Sequence, residues 1–577
     1  MTAFVDPIEM QHRLFAELSR MFGAEVPLYD KSLLVNEACN RATCSMLGHL
    51  HRGFTITDEQ LARDSAERHG AIRIGRPDEF RWITRFFACF GMEPHNVYDM
   101  TDVGAKSQPI IATAFRSMVG PEHRVFASLL QTGWFDEATR DRIDALLATR
   151  RVFSDRAMAL VEKAEVQGGL DAEDAEALIA EGTTRIFKWT GRARDHRLYV
   201  ELCEAGFKIA ADIACFESHH LNHLTPNTFC MDLYTAAMKH ALGEMDADEF
   251  RGRATRALRA LAGRADRDWM VLHFKHLDPE TIDGFEPGEL PAGAIEALAD
   301  GLVARFREPD LDLSGLDHDG FKDHTEGPSA DTPVLLRQDA YRALTEPVTF
   351  VEADGTVVEA QHTARFGEIE QRFYATTPAG RELYDRCLAE AEAAKAAHPD
   401  LHRTDPEAFE TVYAEPFAPF PKTLRELLAA GLVLGRPRPT AAGRAAAAEG
   451  AIDTTDLAEL ERRGLVRIDG LRYEDFLPVS AAGIFASNLG QYGTRPTAVQ
   501  RSAWEQAEFR DLVGRPIVDA MVVARGQEAE ATLATYEALG LLDRLDAARR
   551  DELERTAAAS PAAGGRTHLG TAALAET

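Results

Sequence analysis

The chain of 577 residues is 45% apolar and carries 93 acidic residues against 64 basic ones, which gives a formal net charge of −29. The apolar fraction is that of a folded protein, and the length predicts more than one structural unit. The acidic excess argues against nucleic acid or an anionic membrane as a general partner, because such surfaces would repel the chain. An anionic small molecule could still bind through a few buried arginines.

The sequence also gives expectations about the cellular location of the protein and the redox state of its cysteines. No apolar run approaches the roughly 20 residues that a membrane-spanning helix needs, and the N-terminus lacks the basic-then-apolar pattern of a signal peptide. We therefore expect a cytoplasmic protein. The seven cysteines are scattered without a Cys-x-x-Cys pair. This pattern predicts reduced, packed thiols and argues against a thiolate metal site.

The first part of the chain is predicted to be largely helical. Asp6 and Pro7 are typical of a helix start, because aspartate caps the free N–H groups and proline suits the first helical position. Further helices are expected at 33–50, at 79–90 and, broken by two glycines at 168–169, at 154–181. The segment 124–130 fits either a helix or a buried strand.

Two stretches of this part contain histidines of interest. In the first, His69 and Arg73 are four residues apart, so they lie on one side of the chain in either a helix or a strand. The second begins with the short apolar run 211–216, which predicts a buried strand leading into three histidines. If the chain stays extended there, His219 and His223 face the same way, so both are candidates for one site.

The following region changes character and predicts an inserted helical unit. Amphipathic helices at 249–261 and 294–306 alternate with connectors rich in proline, glycine and aspartate. The expected organisation is an N-terminal part of the core at 1–232, a helical insertion at 233–325, a C-terminal part of the core at 326–500, C-terminal helices at 501–555 and a mobile tail at 556–577.

A hairpin and a further strand are predicted after the insertion. The runs 348–351 and 356–358 are β-branched or aromatic and are separated by Asp354-Gly355, which favours a tight turn. The stretch 361–373 is expected to be the next strand. Alternation along it would place four side chains on one face, with Gly367 removing bulk beside them: His362, Glu368, Glu370 and Arg372.

Histidine and glutamate in this arrangement suggest a metal site. Two neutral imidazoles and one carboxylate can occupy one face of Fe(II) and leave three positions for a chelating substrate and dioxygen. His69, His223 and Glu368 are the candidates, and they are far apart in the sequence, so the fold would have to assemble them. The residues alone leave His219 open as an alternative to His223, and Glu370 as an alternative to Glu368.

An anion could be held by arginine or by a helix start. Arg73 could pair with a substrate carboxylate through its planar guanidinium, and Arg116 and Arg337 are further candidates for that task. The alternative for Arg73 is an ordinary ion pair with Glu67, Asp78 or Glu79. Ser480 is predicted to cap a helix that passes through Phe485, and the free N–H groups of such a helix start suit a carboxylate.

Five segments together carry a family resemblance. They read RHGAIRIG at 68–75, NHLTP at 222–226, PVLLRQ at 333–338, HTARFGEIEQR at 362–372 and YEDFLPVSAAGIF at 473–485. In this order they resemble the 2-oxoadipate dioxygenase/decarboxylase family, also called hydroxyglutarate synthases. The resemblance implies an α+β fold with a curved β-sheet core similar to vicinal-oxygen-chelate proteins, wrapped by helices. The resemblance further implies that this core is distantly similar to that of 4-hydroxyphenylpyruvate dioxygenase.

The resemblance also implies a site and a reaction. The ligands of Fe(II) would be His69, His223 and Glu368, while Arg73, Val479 and Ser480 would hold the substrate and Arg73 would serve catalysis. The expected function is an Fe(II)-dependent dioxygenase/decarboxylase that converts 2-oxoadipate, or a similar 2-oxo diacid, and O2 to 2-hydroxyglutarate and CO2. Two other hypotheses remain: a non-catalytic protein that binds an acidic metabolite, and a zinc-dependent hydrolase that uses the same three ligands.

Overall fold

The computed structural model describes residues 4–101, 107–118, 123–311, 313–321, 325–477 and 506–560. Helices and strands are mixed along the chain, so the predicted α+β class is confirmed. Within these ranges, none of the helices combines the length and the apolar character needed to cross a membrane.

Most of the described chain is helical. The helices are α1 (Pro7–Glu25), α2 (Pro27–Leu50), α3 (Asp58–Ser65), α4 (Pro77–Ala88), α5 (Glu137–Ala148), α6 (Asp155–Gln167), α7 (Ala172–Glu181), α8 (His196–Glu204), α9 (Lys208–Cys215), α10 (Met231–Ala241), α11 (Ala247–Ala262), α12 (Arg267–His273), α13 (Pro279–Asp283), α14 (Ala294–Arg305), α15 (Pro378–Ala397), α16 (Leu401–Thr404), α17 (Pro406–Ala414), α18 (Leu424–Ala429), α19 (Ala441–Ala448), α20 (Leu457–Arg462), α21 (Gln506–Val513), α22 (Ala520–Ala538) and α23 (Ala547–Ala559).

The strands are fewer and shorter. They are β1 (His51–Arg52), β2 (Glu67–Ile74), β3 (Glu93–Asp99), β4 (Ile110–Arg116), β5 (Arg124–Leu130), β6 (Arg192–Ala193), β7 (His223–Pro226), β8 (Glu286–Pro287), β9 (Leu336–Ala340), β10 (Leu344–Val351), β11 (Val357–Arg365), β12 (Glu368–Arg372), β13 (Gly435–Pro439) and β14 (Val466–Gly470). The segment at 124–130, open between helix and strand, is a strand.

Several predicted helices are confirmed. Asp6 caps α1 by accepting from the backbone N–H of Ile8 and Glu9, and Pro7 is its first residue. The stretch 154–181 forms α6 and α7, with Gly168 between them in the left-handed conformation and Asp171 as the cap of α7. The helices predicted at 249–261 and 294–306 are α11 and α14. Helix α23 continues to Ala559, past the predicted start of the tail, and residues 561–577 lie outside the described ranges.

A five-stranded sheet with the order β3-β4-β5-β2-β7 forms the centre of the molecule. Strands β2, β4, β5 and β7 are buried along their whole length, because helices and loops cover the sheet. Strand β12 lies beside β7: residues 227 and 370 form a parallel bridge, and the N–H of Phe366 donates to the carbonyl oxygen of Asn222 at 3.1 Å. Strand β12 also pairs antiparallel with β9, so a second, two-stranded sheet adjoins the first.

The predicted hairpin is confirmed as β10 and β11. The two strands pair antiparallel, with Val351 opposite Val357. Gly355 has a φ of +86°, which a residue with a side chain rarely adopts, so the turn depends on this glycine.

The strand predicted at 211–216 is wrong, because this run belongs to helix α9. All residues from Ile209 to Cys215 are buried. A short run with a single polar residue, Asp212, gives no periodicity that separates a buried helix from a buried strand, and its alanines favour the helix.

The prediction of one continuous strand at 361–373 is also wrong. The chain forms β11 up to Arg365, bends at Phe366 and Gly367, and then forms β12 in a different sheet. The bend separates His362 from Glu368, so the prediction that they share a face fails. Gly367 does remove bulk, but the group that needs the space is the ring of Tyr341: a Cβ at 367 would lie 2.6 Å from Cζ of that ring.

Candidate metal centre

Strands β2 and β7 bring two of the predicted ligands to one face of the central sheet. In their antiparallel pairing, His69 lies opposite Thr225 and Ala71 lies opposite His223. Residues opposite each other share a face, and residues two apart on a strand also share one. The sheet register therefore places His69, His223 and Arg73 on the same side.

Glu368, the first residue of β12, completes the cluster. Its Oε2 atom lies 3.2 Å from Nε2 of His223 and 3.4 Å from Nε2 of His69. The three side chains expose 5% of their surface or less, and one ligand atom of each lies within 4.8 Å of the others. The structure thus brings together the three residues that the sequence proposed. Their role as ligands stays a prediction.

The atoms of this cluster fit a divalent cation. Where metal–ligand bonds are about 2.1 Å long, neighbouring ligand atoms lie about 3 Å apart, close to the separations found here. Oε1 of Glu368 and Nδ1 of His223 are buried, and among the described residues neither has a hydrogen-bond partner. An unsatisfied buried carboxylate oxygen is costly, and a cation between the three side chains would compensate it.

A second carboxylate lies next to the other ring nitrogen of His69. Nδ1 of His69 lies 3.1 Å from Oε2 of Glu370, whose Oε1 accepts from Nε of Arg372 at 2.7 Å. Burial raises the pKa of Glu370, but Arg372 and His69 outweigh it, so the pKa lies well below its usual value and the group is ionised. Glu370, the alternative ligand, therefore lies as a charged neighbour at the other nitrogen of His69, outside the group of three converging ligand atoms.

The two histidines differ in electrostatic environment. Burial lowers the pKa of both rings. At His69 the carboxylates of Glu370 and Glu368 outweigh burial, and the pKa is raised. At His223 the charges of His69 and Arg73 add to the effect of burial, and the pKa falls well below its ordinary value. A neutral imidazole is the form that binds a metal, and His223 is held in that form.

Aromatic rings enclose the cluster. Phe366 stacks on His223 with ring centroids 4.8 Å apart, and Phe476 meets His69 edge-on at 5.0 Å. Phe476 also contacts Phe126 at 5.3 Å. Such rings exclude water and lower the local dielectric, which strengthens electrostatic interactions inside the site. The sequence analysis missed both phenylalanines, although each lies in a segment that carries the resemblance.

Arg73 is buried beside the cluster, and its ion-pair partner is a residue that the sequence analysis missed. Nη1 of Arg73 donates to Oδ2 of Asp212 at 2.6 Å, and both side chains are almost fully buried. Asp212 lies on α9, the helix mistaken for a strand. It also belongs to a second group of buried residues with metal-ligand atoms, together with His220 and His362.

The remaining candidates have structural partners or lie outside the described ranges. His219 faces Glu79, with Nε2 and Oε2 3.2 Å apart, and so points away from the cluster of the predicted ligands. Arg116 pairs with Asp475 at 3.1 Å and Arg337 with Asp232 at 2.9 Å. Val479 and Ser480, predicted to hold the substrate, lie outside the described residues, as does the helix predicted after Ser480.

Comparison with known proteins shows the family to which the chain belongs. The family model described as 2-oxoadipate dioxygenase/decarboxylase matches residues 14–259 and 310–488. The 2-oxoadipate dioxygenase/decarboxylase of Pseudomonas putida is 32% identical over 550 residues, which cover 93% of this chain and 98% of that protein. The protein of the same name from Escherichia coli K12 is 32% identical over 532 residues, 90% of this chain and 96% of that one.

A solved structure is also similar to this chain. The crystal structure of the hydroxyglutarate synthase from Pseudomonas putida in complex with 2-oxoadipate aligns with a TM-score of 0.67 and 29% identity, over 94% of this chain and all of that one. Fold, buried cluster and relatives together define an enzyme of the oxygenase and decarboxylase class. The chain belongs to the 2-oxoadipate dioxygenase/decarboxylase family.

Proposed function

We propose that the chain converts 2-oxoadipate and O2 to 2-hydroxyglutarate and CO2, with Fe(II) held by His69, His223 and Glu368. The convergence of these three buried side chains carries the proposal. The names of the relatives and the Pseudomonas putida structure with 2-oxoadipate support the choice of substrate.

The donor set favours Fe(II). Two imidazole nitrogens and one carboxylate oxygen are typical of non-haem iron oxygenases, because three coordination positions stay open opposite them. When bound, the iron supplies those positions for a 2-oxo acid and for O2. Glu370 orients His69 through its Nδ1, and Phe366 and Phe476 keep bulk water away.

The reaction balances without a second organic substrate. The bond between the carboxyl carbon and the keto carbon of 2-oxoadipate breaks and CO2 leaves. One oxygen atom of O2 completes a carboxyl group at the former keto carbon, and the other becomes the hydroxyl group of 2-hydroxyglutarate. All four electrons that reduce O2 come from the same substrate molecule, so no separate 2-oxo acid is needed.

Arg73 is proposed to bind the distal carboxylate of the substrate and thereby to select the length of its carbon chain. It lies on the same strand and face as His69, and a guanidinium can contact two carboxylates through its five N–H groups. A charge-assisted contact contributes roughly 1.5 to 3 kcal/mol, enough to prefer a diacid over a monoacid by about one to two decades. The resemblance adds Val479 and Ser480 as further contacts to the substrate.

The proposal also includes the curved core and the helical insertion that we expect in this fold. A curved core similar to vicinal-oxygen-chelate proteins would be built from 1–232 and 326–500, and the first part contributes His69 and His223 while the second contributes Glu368. The two ranges of the family match leave out residues 260–309, which supports an insertion at 233–325.

Oxygen uptake tests the proposal. The protein is purified anaerobically, loaded with iron and given 2-oxo diacids of different length, and we expect O2 and 2-oxoadipate to be consumed in equal amounts as 2-hydroxyglutarate and CO2 form. Binding of 2-oxoadipate without O2 uptake would favour the non-catalytic hypothesis. Activity with zinc and no O2 uptake would favour the hydrolase.

A further inference from the structure

Asp212 lies at the centre of a chain of buried hydrogen bonds that begins at Arg73. Its Oδ2 atom accepts from Nη1 of Arg73 at 2.6 Å, and its Oδ1 atom lies 2.9 Å from Nε2 of His362. Nδ1 of His362 in turn lies 2.9 Å from the hydroxyl group of Tyr199. All four side chains are buried, and they come from four different elements: β2, α9, β11 and α8.

The protonation states along this chain are mutually consistent. Burial raises the pKa of Asp212, but the cationic groups around it lower the pKa well below its usual value, so the group is a carboxylate. Burial lowers the pKa of His362 more than Asp212 raises it, so the ring is neutral. A neutral imidazole has one donor and one acceptor nitrogen. His362 therefore donates from Nε2 to Asp212 and accepts at Nδ1 from Tyr199.

Packing fixes the position of the chain. Trp189 stacks on His362 with ring centroids 5.7 Å apart and an interplanar angle of 16°, and Phe216 packs against the same ring at 4.5 Å. An arginine side chain has many rotamers, and ordering it on binding a ligand carries an entropic cost. The two aromatic contacts hold His362, which holds Asp212, so the partner of Arg73 is in place before the ligand arrives and part of that cost is removed.

We infer that Asp212, His362 and Tyr199 are positioning residues that fix the guanidinium of Arg73 for the distal carboxylate of the substrate. The inference rests on the proposed role of Arg73. Asparagine at position 212 would offer a single oxygen to two donors, Arg73 and His362, so one of the two would lose its partner. The chain therefore needs a carboxylate, and a residue of the same shape cannot replace it.

A second metal ion is the rival explanation of the same residues. Nε2 of His220 lies 3.1 Å from Oδ1 of Asp212, so two histidines and one aspartate converge. In the hydrogen bonds described above, both oxygens of Asp212 and both nitrogens of His362 already have partners. These two residues therefore need no metal to satisfy them. The second-metal explanation predicts two metal ions per protein molecule. The explanation by hydrogen-bonded positioning residues predicts one.

Steady-state kinetics on the iron-loaded enzyme tests the inference. Wild type is first shown to consume O2 with 2-oxoadipate; failure here would refute the proposed function and leave nothing for Asp212 to position. Asp212→Asn is then expected to raise KM for 2-oxoadipate about tenfold with kcat within about twofold, and to leave KM for 2-oxohexanoate, which lacks the distal carboxylate, unchanged. Tyr199→Phe, a milder change, is expected to act in the same direction by two- to threefold.

A double-mutant cycle shows whether Asp212 acts through Arg73. If it does, Asp212→Asn has no further effect on KM once Arg73 is alanine. Glu79→Gln is the matched control, because it breaks another buried arginine–carboxylate pair of 2.6 Å, formed with Arg150. It should not change the ratio of the two KM values. Equal effects of Asp212→Asn on both substrates, full additivity with Arg73→Ala, or two metal ions per wild-type chain that fall to one in Asp212→Asn would each overturn the inference.

Discussion

Nδ1 of His69 lies 3.1 Å from Oε2 of Glu370, while Nε2 of the same ring faces Glu368. The two glutamates are two residues apart on β12 and so point to the same face. One strand thus delivers both the predicted metal-binding carboxylate and the carboxylate that lies at the other nitrogen of a predicted histidine ligand. Arg372 fixes the second of them by donating from Nε at 2.7 Å.

The two glutamates should respond differently to the same substitution. Glu368→Gln replaces a proposed ligand and should abolish stoichiometric iron binding. Glu370→Gln removes only the charged partner of His69, and we expect the affinity for iron to fall about 10- to 100-fold, as is usual for partners of metal-bound histidines. Anaerobic titration with Fe(II) measures both, and circular dichroism checks that each variant is folded. Equal losses would show that Glu370 is itself a ligand or that neither residue has its proposed role.

The neighbouring histidines of one segment offer a second matched pair. His223→Ala should lose the metal and oxygen uptake while keeping the fold. His219→Ala should keep the metal, because its Nε2 faces Glu79 at 3.2 Å, but should lower the free energy of unfolding by roughly 1 to 3 kcal/mol. Metal content and urea unfolding of the two variants separate these outcomes. Metal loss in His219→Ala with retention in His223→Ala would reverse the assignment.

The sequence predicted the proposed metal ligands of the site better than it predicted the residues around them. His69 and Arg73 could be placed on one side without knowing the local structure, because both periodicities agree at a spacing of four. His223 and Glu368 were singled out from His219 and Glu370 only by the family resemblance. The contact that takes His219 away from the cluster is long-range: its Nε2 lies 3.2 Å from Oε2 of Glu79, 140 residues away in the sequence, and no pattern near 219 reports this. Asp212 was missed because the run around it is short and otherwise apolar, so no periodicity shows which way its one aspartate points.

Gly367 gives a prediction about the bend between β11 and β12. A Cβ at this position would lie 2.6 Å from Cζ of the buried Tyr341, which cannot move without disturbing the core. Gly367→Ala should therefore lower the free energy of unfolding by roughly 1 to 3 kcal/mol and, by shifting Glu368, weaken iron binding. Gly252→Ala is the control. It lies exposed within α11 with no atom within 4 Å of a new Cβ, and should stabilise by up to about 1 kcal/mol. Unchanged stability of Gly367→Ala would mean that Tyr341 yields easily.

The buried pair of Glu79 and Arg150 predicts a pH dependence of stability. Nη2 of Arg150 donates to Oε2 of Glu79 at 2.6 Å, and Nε donates to Oε1 at 3.0 Å. Burial raises the pKa of Glu79, but Arg150 and His219 outweigh it, and the pKa in the folded state lies far below the value of about 4.3 in an unfolded chain. The stabilisation is therefore complete above about pH 4.3 and is lost as the pH falls further, because the unfolded state takes up the proton first.

Glu79→Gln, which cannot titrate, should be less stable than wild type by about 3 to 5 kcal/mol at pH 7. Below about pH 4.3 the difference should shrink by roughly 1.4 kcal/mol per pH unit. Urea unfolding of both proteins between pH 3 and pH 8 measures it, and a difference that stays constant down to pH 3 would contradict the lowered pKa of Glu79.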